Sequence, residues 1–328
     1  MSAVALNCCC ECRWDGCVRR AADEAGGDCG VGRGVSCAEP GRISNQSLDS
    51  RTGSEARCGV GTTAARVSRQ VGPEVPETAA VGLLPDFEAQ CTAMLEARPK
   101  AISSIMGLYA SDFVAEMKGA RDSVVCHGDN RCRGEGCRSR RGRYAVIAQG
   151  MEAGGHRGAF HANQAERRMV GLFALLPQVV DAIVLPVIAA GGIADGRGVA
   201  AALMLGASAV IVGTGFLRSP EAKLNRVWAD ALGHTEADDT MITSAFTGRP
   251  GRGIANDFTR ASAEPDAPSP APYPLQRGLT RAMREAASKT GAADRMQMWA
   301  GQASKLARSE AAGDIVTALW KEAKRLLA

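Results

Sequence analysis

The chain has 328 residues with 39 basic and 35 acidic side chains, a net charge of +4, and that near balance excludes the basic footprint of a nucleic-acid binder. Its length suits one large α/β barrel or two average domains, either of which can bury a sizeable core. With no apolar run of about 18 residues and no charged-then-apolar leader, the expectation is a cytoplasmic protein, neither membrane-spanning nor secreted.

In chain order, the first 80 residues hold 11 Gly, 9 Arg and 8 Cys but only two Leu, one Ile and no Phe. No period of 2 or 3.6 runs through them, and few of their side chains could fill a core. All twelve cysteines lie between Cys8 and Cys137. A leaderless chain with a long cysteine-free half argues against a disulfide framework. The sets Cys8, Cys9, Cys10, Cys12 and Cys17, or Cys126, His127, Cys132 and Cys137, lack the paired spacing of structural zinc sites, so no metal is expected.

Next comes "KAISSIMGLY" (100–109), an apolar run read as a strand, followed by the helix-like "SDFVAEMK" with Ser111 as its N-cap. Residues 126–143, "CHGDNRCRGEGCRSRRGR", return to the N-terminal composition, with six Arg, four Gly and three Cys. They stand where the interval between neighbouring strands leaves room for a complete βα unit. The sequence therefore predicts that this unit, with its strand near 120–128, is lost.

"YAVIAQG" (144–150) is the second strand, with the helical "NQAERRMVGLFALLPQVVDAI" after it. "LPVIAAGGI" (185–193) is the third, followed by "DGRGVAAALMLG", a helix with Asp195 at its start and Gly206 at its C-cap. "ASAVIVGTGFL" (207–217) is the fourth. Near-continuous apolar runs, each followed by a helix, indicate a parallel sheet covered on both faces. "EPDAPSPAPYP" (264–274) reads as extended, either a linker or part of a lid. "GLTRAMREAASKTG" and "AGDIVTALWKEAKRLL" read as closing helices.

The glycine pairs at the ends of the last two strands expose backbone amides where a helix begins. In (β/α)8 barrels this is the usual phosphate site. The loop "AQGMEAGGHRG" (148–158) sets His156 among glycines directly after a strand, where an imidazole with a pKa near working pH can act as a base.

"AQGMEAGGHRG", "PVIAAGGIADGRGVAAAL", "GASAVIVGTGFL", "AFTGRPGRGIAND" and "MWAGQ" together resemble the nitronate monooxygenases, formerly 2-nitropropane dioxygenases, which are FMN-dependent TIM-barrel enzymes. The likeness runs from about Phe87 to Lys118 and from Tyr144 to the C-terminus. It implies FMN contacts from Gln149 and Gly154 near the flavin ring, from Gly191, Gly192, Gly213 and Thr214 around the phosphate, and from Ile211, through its backbone, and Val212 as further cofactor-binding positions. It implies His156 as general base, and a nitronate or nitroalkane with O2 as the small-molecule partners, without nucleic acid or membrane. No motif speaks to oligomeric state.

Two departures stand beside the likeness. Ile211 occupies a position where the family usually has Gln, and the N-terminal "PVIxAPM"-like strand is missing, with the two strands after it. Out-of-frame translation of a GC-rich gene produces the composition of 1–86 and 121–143. The expected organisation is an irregular segment 1–86, an FMN-binding barrel portion 87–263 and a closing portion 264–328. The alternatives are an FMN-dependent enoyl-ACP reductase, or an inactive frameshifted product that binds no flavin.

Overall fold

A computed structural model describes residues 4–6, 73, 75, 86–99, 101–105, 107–119, 123–128, 144–159 and 162–328. Most of the Cys/Arg/Gly-rich stretches, including the N-terminal cysteine cluster and 129–143, lie outside the described residues.

Nine strands are described: β1 Val4–Leu6, β2 Ala101–Ser104, β3 Ser123–Gly128, β4 Tyr144–Gln149, β5 Gly155–His156, β6 Val187–Ala190, β7 Ala209–Val212, β8 Thr240–Thr243 and β9 Gly251–Ile254. Six form one parallel sheet in the order β1-β7-β6-β4-β3-β2. From β2 to β7 each strand lies beside its predecessor in that sheet, and β1, the first in the chain, pairs beyond β7, the last. An open doubly wound sheet reverses its order at a switch point. A cyclic order in which the last strand meets the first belongs to a β/α barrel. The expected fold class therefore holds.

All four predicted strands are present, each shorter than its apolar run. Two expectations are corrected. The slot between β2 and β4 is not empty, because Ser123–Gly128 fills it, pairing in parallel with both neighbours. Its "SVV" start carries strand propensity that the composition of the following residues had masked. Residues 1–86 likewise supply β1 and also Val75, which is buried against Ala271 and Leu279.

Register explains the layers. Val146 pairs with Val187, and Ala189 with Val210; these residues and Val212 pack outward against Leu172, Leu175, Leu176 and Val179 of the helix Leu172–Ala182, and against Val199 and Ala200 of Gly196–Met204. The alternate residues Ala145, Ile147, Ile188, Ala190 and Ile211 form a separate inner cluster. This is the period-2 division of a two-sided sheet. The helix Ala312–Leu327 buries Ile315, Leu319 and Ala323 in the outer layer, and its Glu322 carboxylate accepts from the Gly196 N–H at 2.9 Å.

Asp195 caps its helix as expected, accepting from the Gly198 N–H at 2.9 Å, and Gly206 follows that helix with φ +96°. Ser111 is instead the first residue of the helix Ser111–Gly119, which it was expected to cap from outside. Such a shift of one residue is usual at helix ends. No helix among the described residues is long and apolar enough to cross a membrane.

Candidate active site

The site gathers at the C-terminal ends of β4, β6 and β7. The pairings Gln149 with Ala190 and Ala190 with Ile211 make one row across the three strands. Gly191 and Gly192, directly above β6, turn the chain at φ +106° and +69°, values that a residue with a Cβ adopts only under strain. The amides of Gly192 and Thr214 donate to no group among the described residues, and both residues keep exposed surface. Unpaired amides at the ends of adjacent strands are the raw material of an anion cradle.

The loop after β4 is held by its own strand. Gln149 Nε2 donates to the His156 carbonyl at 3.1 Å, and Gln149 Oε1 accepts from the Gly158 N–H at 2.8 Å. The side chain expected at the flavin ring thus shapes the loop that carries the imidazole. Gly154 also has a packing reason, since a Cβ there would come within 2.5 Å of the Gly301 nitrogen. Val212 points its side chain into the outer layer, so any cofactor contact from it must use its backbone. Ile211 faces inward with Ile147 and Ala190.

His156 itself is buried, 8% exposed. It lies in β5, which pairs antiparallel with β9 so that His156 stands opposite Gly251. This small sheet of β5, β9 and β8 was not read from the sequence. It brings in residues that sequence reasoning missed. His156 Nε2 lies 2.8 Å from Thr247 Oγ1, the Trp299 ring is 5.3 Å away and tilted, and the Tyr273 ring meets it edge-on at 6.0 Å. Tyr273 belongs to the proline-rich stretch, which is therefore a wall of the site and not a free linker. The available signal was in "AFTGRPGRGIAND" and "MWAGQ", which carry Thr247 and Trp299.

Residues 300–302 tie the loops together. Gly301 N–H donates to Thr214 Oγ1 at 2.9 Å, and Gln302 N–H to the Glu152 carbonyl at 2.9 Å. Three buried arginines surround the imidazole loop. Arg157 donates to the Gly150 carbonyl at 3.0 Å, Arg252 to the Met151 carbonyl at 2.9 Å, and Arg249 to the Ala159 carbonyl. Burial pushes Arg157 down to about 10, with the like charge of Arg252 adding and Glu152 opposing. Burial also pushes Arg249 down to about 10, against Tyr273. Burial also lowers Arg252, with Glu152 opposing, and the Glu152 carboxylate also accepts from the Leu172 N–H.

The described residues thus form a β/α barrel whose C-terminal face carries, at two adjacent strand ends, amides that donate to no group among the described residues, beside an imidazole buried among aromatic rings and guanidinium groups. The family model for nitronate monooxygenase matches residues 54–322. The chain belongs to the nitronate monooxygenase family, and with it to the flavin oxidoreductases.

A probable nitronate monooxygenase of Staphylococcus haemolyticus is 34% identical over 243 residues, covering 74% of this chain and 67% of the relative. The chain spans about half the length of further staphylococcal relatives. Among solved structures, nitroalkane oxidase from Streptomyces ansochromogenes superposes with a TM-score of 0.71 at 30% identity, covering 81% of this chain and 79% of that one. FabK from Thermotoga maritima gives 0.60 at 28% identity, covering 75% of each chain. The family match begins at residue 54, well upstream of the Phe87 boundary expected from sequence.

Proposed function

We propose that the chain oxidises alkyl nitronates and nitroalkanes with molecular oxygen, using FMN as cofactor and His156 as general base. The observation that carries this reading is the buried His156 imidazole, held at the barrel's C-terminal face between Thr247, Trp299 and Tyr273. The protein's own groups fit FMN. Gly191, Gly192, Gly213 and Thr214 would hold its phosphate, since Gly191 and Gly192 turn the chain there and the Gly192 and Thr214 amides donate to no group among the described residues. When bound, FMN would supply the redox chemistry between substrate and oxygen.

The remaining work falls to side chains. The His156 imidazole takes a proton from the carbon bearing the nitro group, which turns a neutral substrate into a nitronate anion. Arg157, Arg249 and Arg252, with Glu152 the carboxylate that acts on two of them, give the site a positive potential that favours this developing charge. Trp299 and Tyr273 flank the ring and keep bulk water from it.

The test has two arms. The purified protein, with added FMN, should show the visible absorbance of bound flavin; its absence would support the inactive product instead. His156→Asn should slow neutral nitroalkane by roughly 10²-fold or more while sparing preformed nitronate, which needs no deprotonation. Equal losses on both substrates would reduce His156 to a binding group. The likeness to FabK supports a second reading, a flavin-dependent enoyl reductase fed by a nicotinamide cofactor. Consumption of NADH with an enoyl substrate, and none with nitronate, would select it.

A further inference from the structure

We propose that Arg249 binds the two oxygens of the substrate's nitro group, so that the site takes planar oxyanions as a class and prefers the nitronate anion to the neutral nitroalkane. The inference deepens the reading of the site as one for nitronates and nitroalkanes and rests on it. It does not depend on which group acts as the base.

The three buried arginines around the imidazole loop are not alike. Arg252 donates to the Met151 carbonyl at 2.9 Å, to the Thr240 carbonyl at 3.3 Å and to Thr240 Oγ1 at 2.9 Å. Arg157 donates through Nη2 to the Gln149 and Gly150 carbonyls. Its Nη1 has no partner, but Glu152 offsets its charge and that of Arg252. Arg249 has neither provision. Its guanidinium donates through Nη2 to the Ala159 carbonyl, while its buried Nε has no partner among the described residues. No carboxylate among them offsets its charge; the Tyr273 phenol is the ionisable group that acts on it. Burial lowers the guanidinium to about 10, which leaves it charged at neutral pH.

A buried cation with an idle N–H is costly until an acceptor reaches it, and the place of Arg249 says where that acceptor comes from. The residue is 9% exposed and stands two positions after Thr247, whose hydroxyl is 2.8 Å from His156 Nε2. Ala159, which holds its guanidinium, lies three positions after His156. The Pro250 carbonyl accepts from the Arg157 N–H at 2.9 Å, so the backbone on both sides of the imidazole is tied to the Arg249 segment. Tyr273, the neighbour of its charge, meets the imidazole ring edge-on at 6.0 Å. The guanidinium therefore belongs to the wall that carries the imidazole. Its planar fork matches two oxygens on one planar centre, as in a carboxylate, a nitrate or a nitronate. A nitroalkane presents the same two oxygens without net charge, so the contact strengthens as the proton leaves carbon. A lysine would offer charge without the fork.

Nitrate is the probe, a planar oxyanion that undergoes no turnover. The full chain with added FMN is titrated by calorimetry with sodium nitrate and, at the same ionic strength, with sodium chloride. Wild type should bind nitrate saturably and more tightly than chloride, and nitrate should compete with preformed nitronate. Arg249→Met keeps the length of the stem and loses the fork. It should weaken nitrate binding at least about tenfold and raise KM for nitronate by a similar factor, the scale of one charge-assisted hydrogen bond, with a smaller rise for neutral nitroalkane. Arg249→Lys should restore only part of the loss, and flavin content with thermal unfolding shows that each variant is folded. Wild type that binds no nitrate, or binds chloride equally well, would overturn the inference without any variant. Undiminished nitrate binding in Arg249→Met would also overturn it. A wild-type chain that binds nitrate through Arg249 but oxidises neither substrate would overturn the reading beneath and not the anion site.

Discussion

Gly248 separates Thr247 from Arg249, and replacing it with alanine should loosen the wall of the site. Its φ is +80°, a region where a Cβ costs about 1–2 kcal/mol relative to glycine. The added Cβ would also lie 2.0 Å from the Ala271 carbonyl oxygen, 2.7 Å from the Tyr273 nitrogen and 2.8 Å from the Pro272 carbonyl carbon. All three atoms are backbone, so no rotamer change relieves the contact and the proline-rich segment must lift. Overpacking of this kind costs about 1–3 kcal/mol. Lifting also strains the bond from Gln276 Nε2 to the Ala245 carbonyl, 2.7 Å, which anchors the segment from below.

The total is about 2–5 kcal/mol, which for a chain of 328 residues lowers Tm by roughly 3–7 °C. Thermal unfolding followed by circular dichroism measures it, and limited proteolysis should show faster cleavage within 264–274. Because Tyr273 moves with the segment, nitroalkane turnover should fall as well. A Gly248→Ala protein with wild-type Tm and wild-type protease resistance would refute the argument that this segment is pinned on the site through Gly248.

Two further outcomes are expected. Gln149→Leu should cost about 1–3 kcal/mol, because the buried His156 carbonyl and Gly158 N–H lose their partners, and it should lower nitroalkane turnover while leaving flavin content unchanged. Loss of flavin at normal stability would show the amide to be a cofactor contact instead. Asp195→Ala should cost about 0.5–2 kcal/mol at neutral pH as an N-cap loss. Burial pushes the Asp195 carboxyl up, but the Gly198 N–H bond and the Arg197 contact outweigh it and hold it below 3.8. A depressed folded-state pKa gives stability that is present above the unfolded value and lost as pH falls through the folded one. Wild-type and variant melting curves should therefore converge below about pH 4, near the unperturbed carboxyl value, and a gap that persisted in acid would refute the assignment.

Local patterning determined much of this protein. The apolar runs of β2, β4, β6 and β7 and the helices after them were legible because burial on both faces of a parallel sheet requires continuous hydrophobicity. Asp195 and Gly206 were legible because caps obey short-range chemistry. His156 stood out for its glycine setting, and the family motifs assigned it a role. Ser123–Gly128 was hidden because only its first residues carry strand propensity while its end runs into the Arg/Gly/Cys-rich stretch 126–143, which does not; its two neighbours in the sheet decide its state. Val4–Leu6 is a strand for the same reason, since three residues cannot announce a partner two hundred positions away.

The surroundings of His156 were decided by tertiary structure alone. Thr247, Tyr273 and Trp299 reach the imidazole from segments 91 to 143 residues further along the chain. Nothing local distinguishes a threonine in a turn from one that meets a buried imidazole, or a tyrosine in a proline-rich stretch from one that stands against the same ring. Those contacts come into being when β5 pairs with β9, because hydrogen bonds and ring contacts depend on distance in space and the sequence orders residues only along the chain.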